Sequence, residues 1–245
     1  MSNPSRRAAL MLAAISAFAA PASASMDSAP HIPEPMVFDM VRPLAARRGE
    51  LEANALALFP LSAPGEKIDW APEIEYAFAD GHAAELELPF ENGRLTSGKI
   101  GLQGTFGTFA ADKAVHGWQF LGIVDRDTGR VESSLLYIVG VRYSPRWTSL
   151  TMVGVNIPNE RHRAGERRDN ALLVNHSVFR DFSPRTTAGI EFNVRAGRRD
   201  TSWLIIPQLH QRLAPDIMMQ AGAGIQKPAN RRAHPNAALR MIKEF

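Results

Sequence analysis

Glu73, Glu75, Glu85 and Glu87 are spaced two by two on either side of the short segment Ala79-Asp80-Gly81. In two antiparallel strands joined by a tight turn, this spacing puts all four carboxylates on one face, with Glu75 opposite Glu85 and Glu73 opposite Glu87. Ile74 then faces Leu86, Tyr76 faces Ala84 and Phe78 faces His82 on the other face. Like charges directly across a ladder repel, so such a face needs cations or raised carboxylate pKa values. If the next connection also has three residues, Lys99 lies opposite Glu85 and Ser97 opposite Glu87. One lysine cannot neutralise four carboxylates. Arg142, Arg195, Arg212 and Arg240, at polar-face positions of later segments, are the other candidates. Three chemistries are open: a buried polar network that fills a narrow interior, an acidic wall facing a basic one so that polar solutes are oriented between them, or an oxygen-lined site for a hard cation such as Ca²⁺. No metal or cofactor is assigned.

Other residue patterns carry less. His176 and Ser177 are adjacent in an extended segment and point to opposite faces, which rules out a simple dyad; in one register His176 faces inward beside Glu191, in the other outward. His116, His162, His210 and His234 show no ligand spacing. Gly98, Gly101, Gly104 and Gly107 lack the strand-to-helix context and lysine of a phosphate loop. In a strand they serve curvature or close approach of another segment, and curvature is the preferred reading. There is no cysteine, so a disulfide framework, a thiolate metal site and a cysteine nucleophile are all excluded.

Positioning such a ladder requires strands. Period-two alternation recurs from Glu50 to the end, clearest in Val131, Ser133, Leu135, Tyr137, Val139, Val141 and Tyr143, although Leu136 and Ile138 interrupt the intervening polar face. Tyr143 and Trp147 flank the turn Ser144-Pro145-Arg146, as interface aromatics would. Strands are expected near 49–59, 70–78, 82–90, 94–109, 115–125, 131–143, 147–156, 170–182, 186–196, 201–213, 216–226 and 237–245. The reading is an all-β fold, an antiparallel transmembrane β-barrel of about twelve strands with ten as the alternative count; a soluble sandwich is the rival. No second apolar run of helix-spanning length follows the N-terminal one. Tight turns alternate with the longer connections Pro60–Asp69, Asp125–Arg130, Pro158–Asp169 and Lys227–Asn236, which puts both termini on the short-turn, periplasmic side. Residues 49–245 form the barrel. Residues 25–48, with Pro30, Pro33, Pro35 and Pro43, make a poor strand and are read as a periplasmic lead-in, with a plug folded into the lumen as the alternative.

Both ends of the chain point to export. Arg6 and Arg7 precede the apolar run Ala8 to Ala20 and the A-x-A site Ala22-Ser23-Ala24, so residues 1–24 read as a cleaved signal peptide. Without the two leader arginines the net charge is about +1, no argument for nucleic acid. At the other end Ala237, Leu239 and Met241 alternate with Arg240, and the chain finishes on Phe245. A closing strand of this kind resembles the signal read by the outer-membrane assembly machinery. The passage from Glu73 to Asp80, running into Glu85-Leu86-Glu87-Leu88-Pro89-Phe90, resembles the hairpins of porin-like outer-membrane barrels and is similar to phenol-degradation-pathway transporters. The resemblance implies an outer-membrane channel or passive solute-uptake protein with a charged lumen, taking a small polar or aromatic solute. The alternatives are a barrel-embedded enzyme acting on lipid A or phospholipid and a non-conducting structural protein. Partners would be outer-membrane lipid, the assembly machinery, and lipopolysaccharide, whose phosphates Arg161, Arg163, Arg167, Arg168, Arg198, Arg199, Lys227, Arg231 and Arg232 could bind; solvated loop charge is the ordinary reading of the same residues.

Overall fold

The computed structural model describes residues 28–62, 67–159, 170–198 and 200–245. Residues 1–27, which include the expected signal peptide, and most of the 158–169 loop, with its four arginines, lie outside the described residues, as does Arg199.

Twelve long strands make the wall: β1 (Leu51–Pro60), β2 (Asp69–Ala79), β3 (His82–Glu87), β6 (Ser97–Phe109), β7 (Ala114–Asp125), β8 (Val131–Ser144), β9 (Trp147–Asn159), β10 (Ala171–Ser183), β11 (Thr186–Gly197), β12 (Thr201–Ala214), β13 (Ile217–Lys227) and β14 (His234–Glu244). Two short strands, β4 (Phe90–Glu91) and β5 (Arg94–Leu95), form a small hairpin between β3 and β6. Each wall strand pairs antiparallel with its neighbours in sequence, and β1 pairs with both β14 and β2, which closes the sheet. Closure leaves no wall edge, the condition for a sheet to cross lipid. The twelve-strand count holds, and the alternatives of ten strands and of a sandwich do not.

Alternation sets the two faces. Ile74, Tyr76, Ile100, Leu135, Ile190 and Leu239 are exposed on the outer surface, while Glu75, Gln119, Asn175 and Glu191 are buried inside. That is the inversion of a soluble protein expected when lipid bathes the outside. Tyr143 and Trp147, 64% and 45% exposed, stand at the short-turn rim. Glu73 pairs with Glu87 and Glu75 with Glu85, as the sequence predicts. Phe78, expected opposite His82, instead sits in a register shift, with Ala79 opposite His82 around the two-residue turn Asp80-Gly81. Lys99 lies opposite Glu87, not Glu85, because the β4–β5 hairpin lengthens the connection and displaces the register by two residues.

The segment before β1 is inside the barrel rather than beneath it. Ile32, Met36, Met40, Val41 and Leu44 are buried, and most of them pack on inward apolar residues of the wall, Leu136, Ile138, Leu150, Met152 and Phe179. Leu136 and Ile138, the interruptions in the polar face of β8, are therefore the floor on which the segment rests. Met36 meets a second group, Leu204, Ile206 and Ala238.

Glycines make room for this contact. A Cβ on Gly101 would lie 2.6 Å from Val41 Cγ2, on Gly117 2.6 Å from Leu44 Cδ2, and on Gly140 2.7 Å from Ile32 Cγ1. Curvature is thus not the role of Gly101; close approach is. Gly104 faces outward, where a Cβ would collide with Trp118, and Gly107 sits at a register shift with φ 144°. Gly140→Val is expected to loosen the inner segment by about 1–3 kcal/mol, the usual effect of overpacking. Limited proteolysis should then cut within residues 28–48 while the barrel keeps its heat-modifiable migration; an uncut segment would contradict the packing argument.

Candidate functional site

One side of the lumen is lined by β14, β1, β2, β3 and β6, which carry Arg240, Glu52 and Asn54, Glu73 and Glu75, Glu85 and Glu87, and Lys99 respectively. Period two aims all of these inward, and the inner segment adds Glu34, Asp39 and Arg42. Arg240 is the hub. Its Nη2 donates to Glu73 Oε1 at 2.8 Å and Glu75 Oε1 at 3.2 Å, its Nη1 to Glu34 Oε2 at 3.3 Å, and its Nε to Asn54 Oδ1 at 3.0 Å. Asn54 Nδ2 in turn donates to Glu75 Oε1 at 2.8 Å and Glu52 Oε1 at 3.0 Å. Arg42 donates to Glu52 at 3.0 Å and Glu50 at 3.1 Å. Lys99 Nζ is 2.9 Å from Glu85 Oε1 and also pairs with Glu87 and Asp39.

Eight carboxylates thus share three cations, Arg42, Lys99 and Arg240. The acid excess is concentrated on one side of the lumen. Burial and the neighbouring Glu52 carboxylate raise Glu34 to about 7, against the opposing pull of Arg240 and Arg42.

Two groups of carboxylates could in principle hold a cation, Asp39 with Glu73, Glu85 and Glu87, and Glu34 with Glu52 and Glu75. The Lys99 ammonium pairs with three members of the first, and the Arg42 and Arg240 guanidiniums pair with members of the second. The chain's own cations occupy the positions a Ca²⁺ would need, so the donor sets do not fit one.

Of the predicted basic residues, only Lys99 and Arg240 reach the ladder. Arg142 donates to the His31 carbonyl at 2.6 Å, Arg195 pairs with Asp200 at 3.6 Å and Asn156 at 3.3 Å, and Arg212 binds the Pro215 carbonyl at 2.8 Å and Glu244 at 3.4 Å. These three lie on β8, β11 and β12, across the barrel from β2 and β3, too far round the wall to touch the acids. Arg42, Glu34 and Asp39 were missed because their segment carries no alternation to orient them.

A second set of wall groups holds the inner segment by its backbone. Glu191 accepts from the amides of Met36, Val37 and Phe38 at 2.8, 3.1 and 2.6 Å. Gln119 accepts from Val41 N and donates to Asp39 O, both at 2.9 Å, and Thr105 Oγ1 accepts from Ala45 N at 2.8 Å. A proline-rich segment has no ladder of its own, so these side chains satisfy its buried polar backbone. His176 faces outward, where its Nδ1 lies 2.9 Å from Thr151 Oγ1, while Ser177 is buried on the inner face. Neither register of the 175–177 passage yields a Ser–His pair on one face.

At the short-turn end the lumen opens into a cavity of about 550 Å³. Its inner end is bounded by Glu34, Arg42 and Glu52, its rim by Arg142, Arg146, Arg185 and Arg212.

No protein-family model matches this chain, and no curated protein matches it. Solved structures do. A KdgM porin superposes with a TM-score of 0.62 at 7% identity, covering 79% of this chain and 99% of its own. The NanC porin gives 0.60 at 11% identity over 80% and 98%. An outer membrane channel from Pseudomonas putida F1 gives 0.65 at 10% identity over 87% and 100%. The superpositions establish a shared barrel architecture, and at identities this low the likeness is one of fold.

Proposed function

We propose that this porin-type barrel is an outer-membrane channel for passive movement of small solutes, its lumen narrowed by its own residues 28–48. The observation that carries the reading is the pairing of an apolar outer belt with a charged interior that is occupied by a separate segment rather than by the wall's own side chains. A barrel filled only for stability needs no segment held by side chains to its backbone. The acid excess beside β1–β3 gives the path a preference for cations. The excess is set by side chains fixed on strands, so it persists when the segment shifts.

The test is current through the purified full-length protein in a planar bilayer. Cation-selective current is expected, with the reversal potential in asymmetric salt moving toward zero in the Glu75→Gln/Glu85→Gln double variant. A folded barrel that passes no current, with or without its inner segment docked, would favour the non-conducting reading instead. Orientation can be read in cells because the chain has no cysteine. Arg231→Cys, in a long connection, is expected to react with an impermeant maleimide on intact cells, and Pro145→Cys, in a tight turn, only after lysis. Reversed labelling would invert the assignment of sides. Phe245, 72% exposed beyond β14 with its amide bound to the Leu51 carbonyl, is the residue the assembly machinery would read.

A further inference from the structure

The cavity at the short-turn mouth has a charge pattern that the lumen ladder does not explain. Arg142 on β8, Arg146 in the β8–β9 turn, Arg185 in the β10–β11 turn and Arg212 on β12 form an arc over five consecutive strands. The arc is tied together through the backbone: Asp181 N donates to Arg146 O at 2.9 Å and Arg212 N to Arg185 O at 2.8 Å. Arg212 is paired with Glu244, and Arg142 binds a neutral carbonyl. The side chains of Arg146 and Arg185 have no hydrogen-bond or ion-pair partner among the described residues. Asp181, the nearby acid, accepts from Thr187 Oγ1 at 2.6 Å.

Beside the arc the wall turns apolar, with Met218 on β13 directly opposite Arg212 in the sheet and the buried Ile242 next to it on β14. Its inner end carries more acid than base, with Glu34 and Glu52 against Arg42. We propose that this vestibule is a binding site for a small carboxylate with an apolar body, the carboxylate held by the Arg142–Arg146–Arg185 arc and the body laid against Met218 and Ile242. Guanidiniums suit this task because their planar donor pairs match a carboxylate. The acids at the inner end fix the direction of binding, since a carboxylate turned inward would meet Glu34 and Glu52. The site therefore takes its ligand charge-outward and holds it at the mouth, at the end of the path opposite the long loops. The inference places an anion site at the mouth of a path that prefers cations, rests on the barrel reading, and stands on different residues from the ladder.

Benzoate is a suitable probe, with benzamide as its uncharged isostere, measured by calorimetry on the full-length protein in neutral detergent at low salt. Benzoate is expected to bind at least tenfold more tightly than benzamide. The Arg146→Gln/Arg185→Gln double variant should lose at least tenfold in benzoate affinity with the barrel still heat-modifiable, since neither side chain supports the fold. Met218→Ala should weaken benzoate several-fold and leave acetate unchanged. Equal binding of benzamide, or a double variant within twofold of the parent, would overturn the proposal. Binding is read without a membrane, so its absence beside normal conductance removes this site alone, and its presence in a barrel that passes no current removes the channel reading alone.

Discussion

Replacing Arg240 by Leu is expected to destabilise the barrel more than any other single change in the lumen, by about 3–5 kcal/mol, the range for stripping one partner from a buried ion pair. The guanidinium is 4% exposed along its side chain and pairs with Glu34, Glu73 and Glu75 within 3.3 Å. Without it Glu34, Glu52 and Glu75 keep only Arg42 nearby and Glu73 must share Lys99, so the acids must either repel or take up protons. Arg240→Lys should recover only part of the loss, because an ammonium on a flexible stem cannot serve the same fork of acceptors. The measurement is the temperature at which folded and unfolded forms interconvert on gel migration, across Arg, Lys and Leu. A Leu variant as stable as the parent would show that the acids are protonated and need no counter-ion.

The second large effect concerns pH. Glu34 belongs to the inner segment, and burial together with Glu52 raises it from 4.5 to about 7 when the segment is docked. The docked state therefore binds a proton more tightly than the released one. Docking is strongest below the released pKa and weakens as pH rises through about 7, with a limiting cost of roughly 3 kcal/mol at about 1.4 kcal/mol per unit. The groups facing Glu34 are Glu52 on β1, Glu73 and Glu75 on β2, Arg240 on β14 and Arg42 on its own segment, so the acids outnumber the bases on every packed element but β14. Current should rise between pH 5.5 and 8.5. Glu34→Gln should flatten that rise at the low-current level. Glu191→Leu, which removes the acceptor of three segment amides, should give high current at both pH values. A pH profile unchanged by Glu34→Gln would assign the titration elsewhere.

The wall was legible because each of its strands states its orientation twice, once in alternation and once in its turns. A three-residue turn at Ala79-Asp80-Gly81 predicts the Glu73–Glu87 and Glu75–Glu85 pairs, and they form because the register shift at Phe78 makes up for the shorter Asp80-Gly81 turn, with Ile74 opposite Leu86 in agreement. Legibility failed where a connection was more than a turn: the β4–β5 hairpin moved Lys99 from Glu85 to Glu87, although a long lysine still spans both. It failed again before residue 49, since a segment without ladder or period gives no sign of which way its side chains point. The sign was present on the other surface. Leu136, Ile138, Leu150 and Met152 sit at inward positions where water would favour polar residues, and Gly117 and Gly140 leave gaps beside them. An apolar stripe with gaps inside a barrel implies something apolar lying on it.

The inner segment contacts wall residues very distant along the chain, Met36 with Glu191 at a separation of 155 and Glu34 with Arg240 at 206. Contacts of such span cannot form until most of the sheet exists. Both ends of the segment nevertheless lie at the same mouth, where His31 meets Arg142, and Ala46 and Arg48 meet the Asp80-Gly81 turn. Among the described residues, no part of it is threaded from one end of the cylinder to the other. It is a loop inserted from one side, so the cylinder can zip shut first and receive the loop afterwards, without any strand reopening. Maturation then separates into two steps with different order: closure, governed by neighbouring hairpins of low sequence span, and insertion, governed by a search over the finished interior.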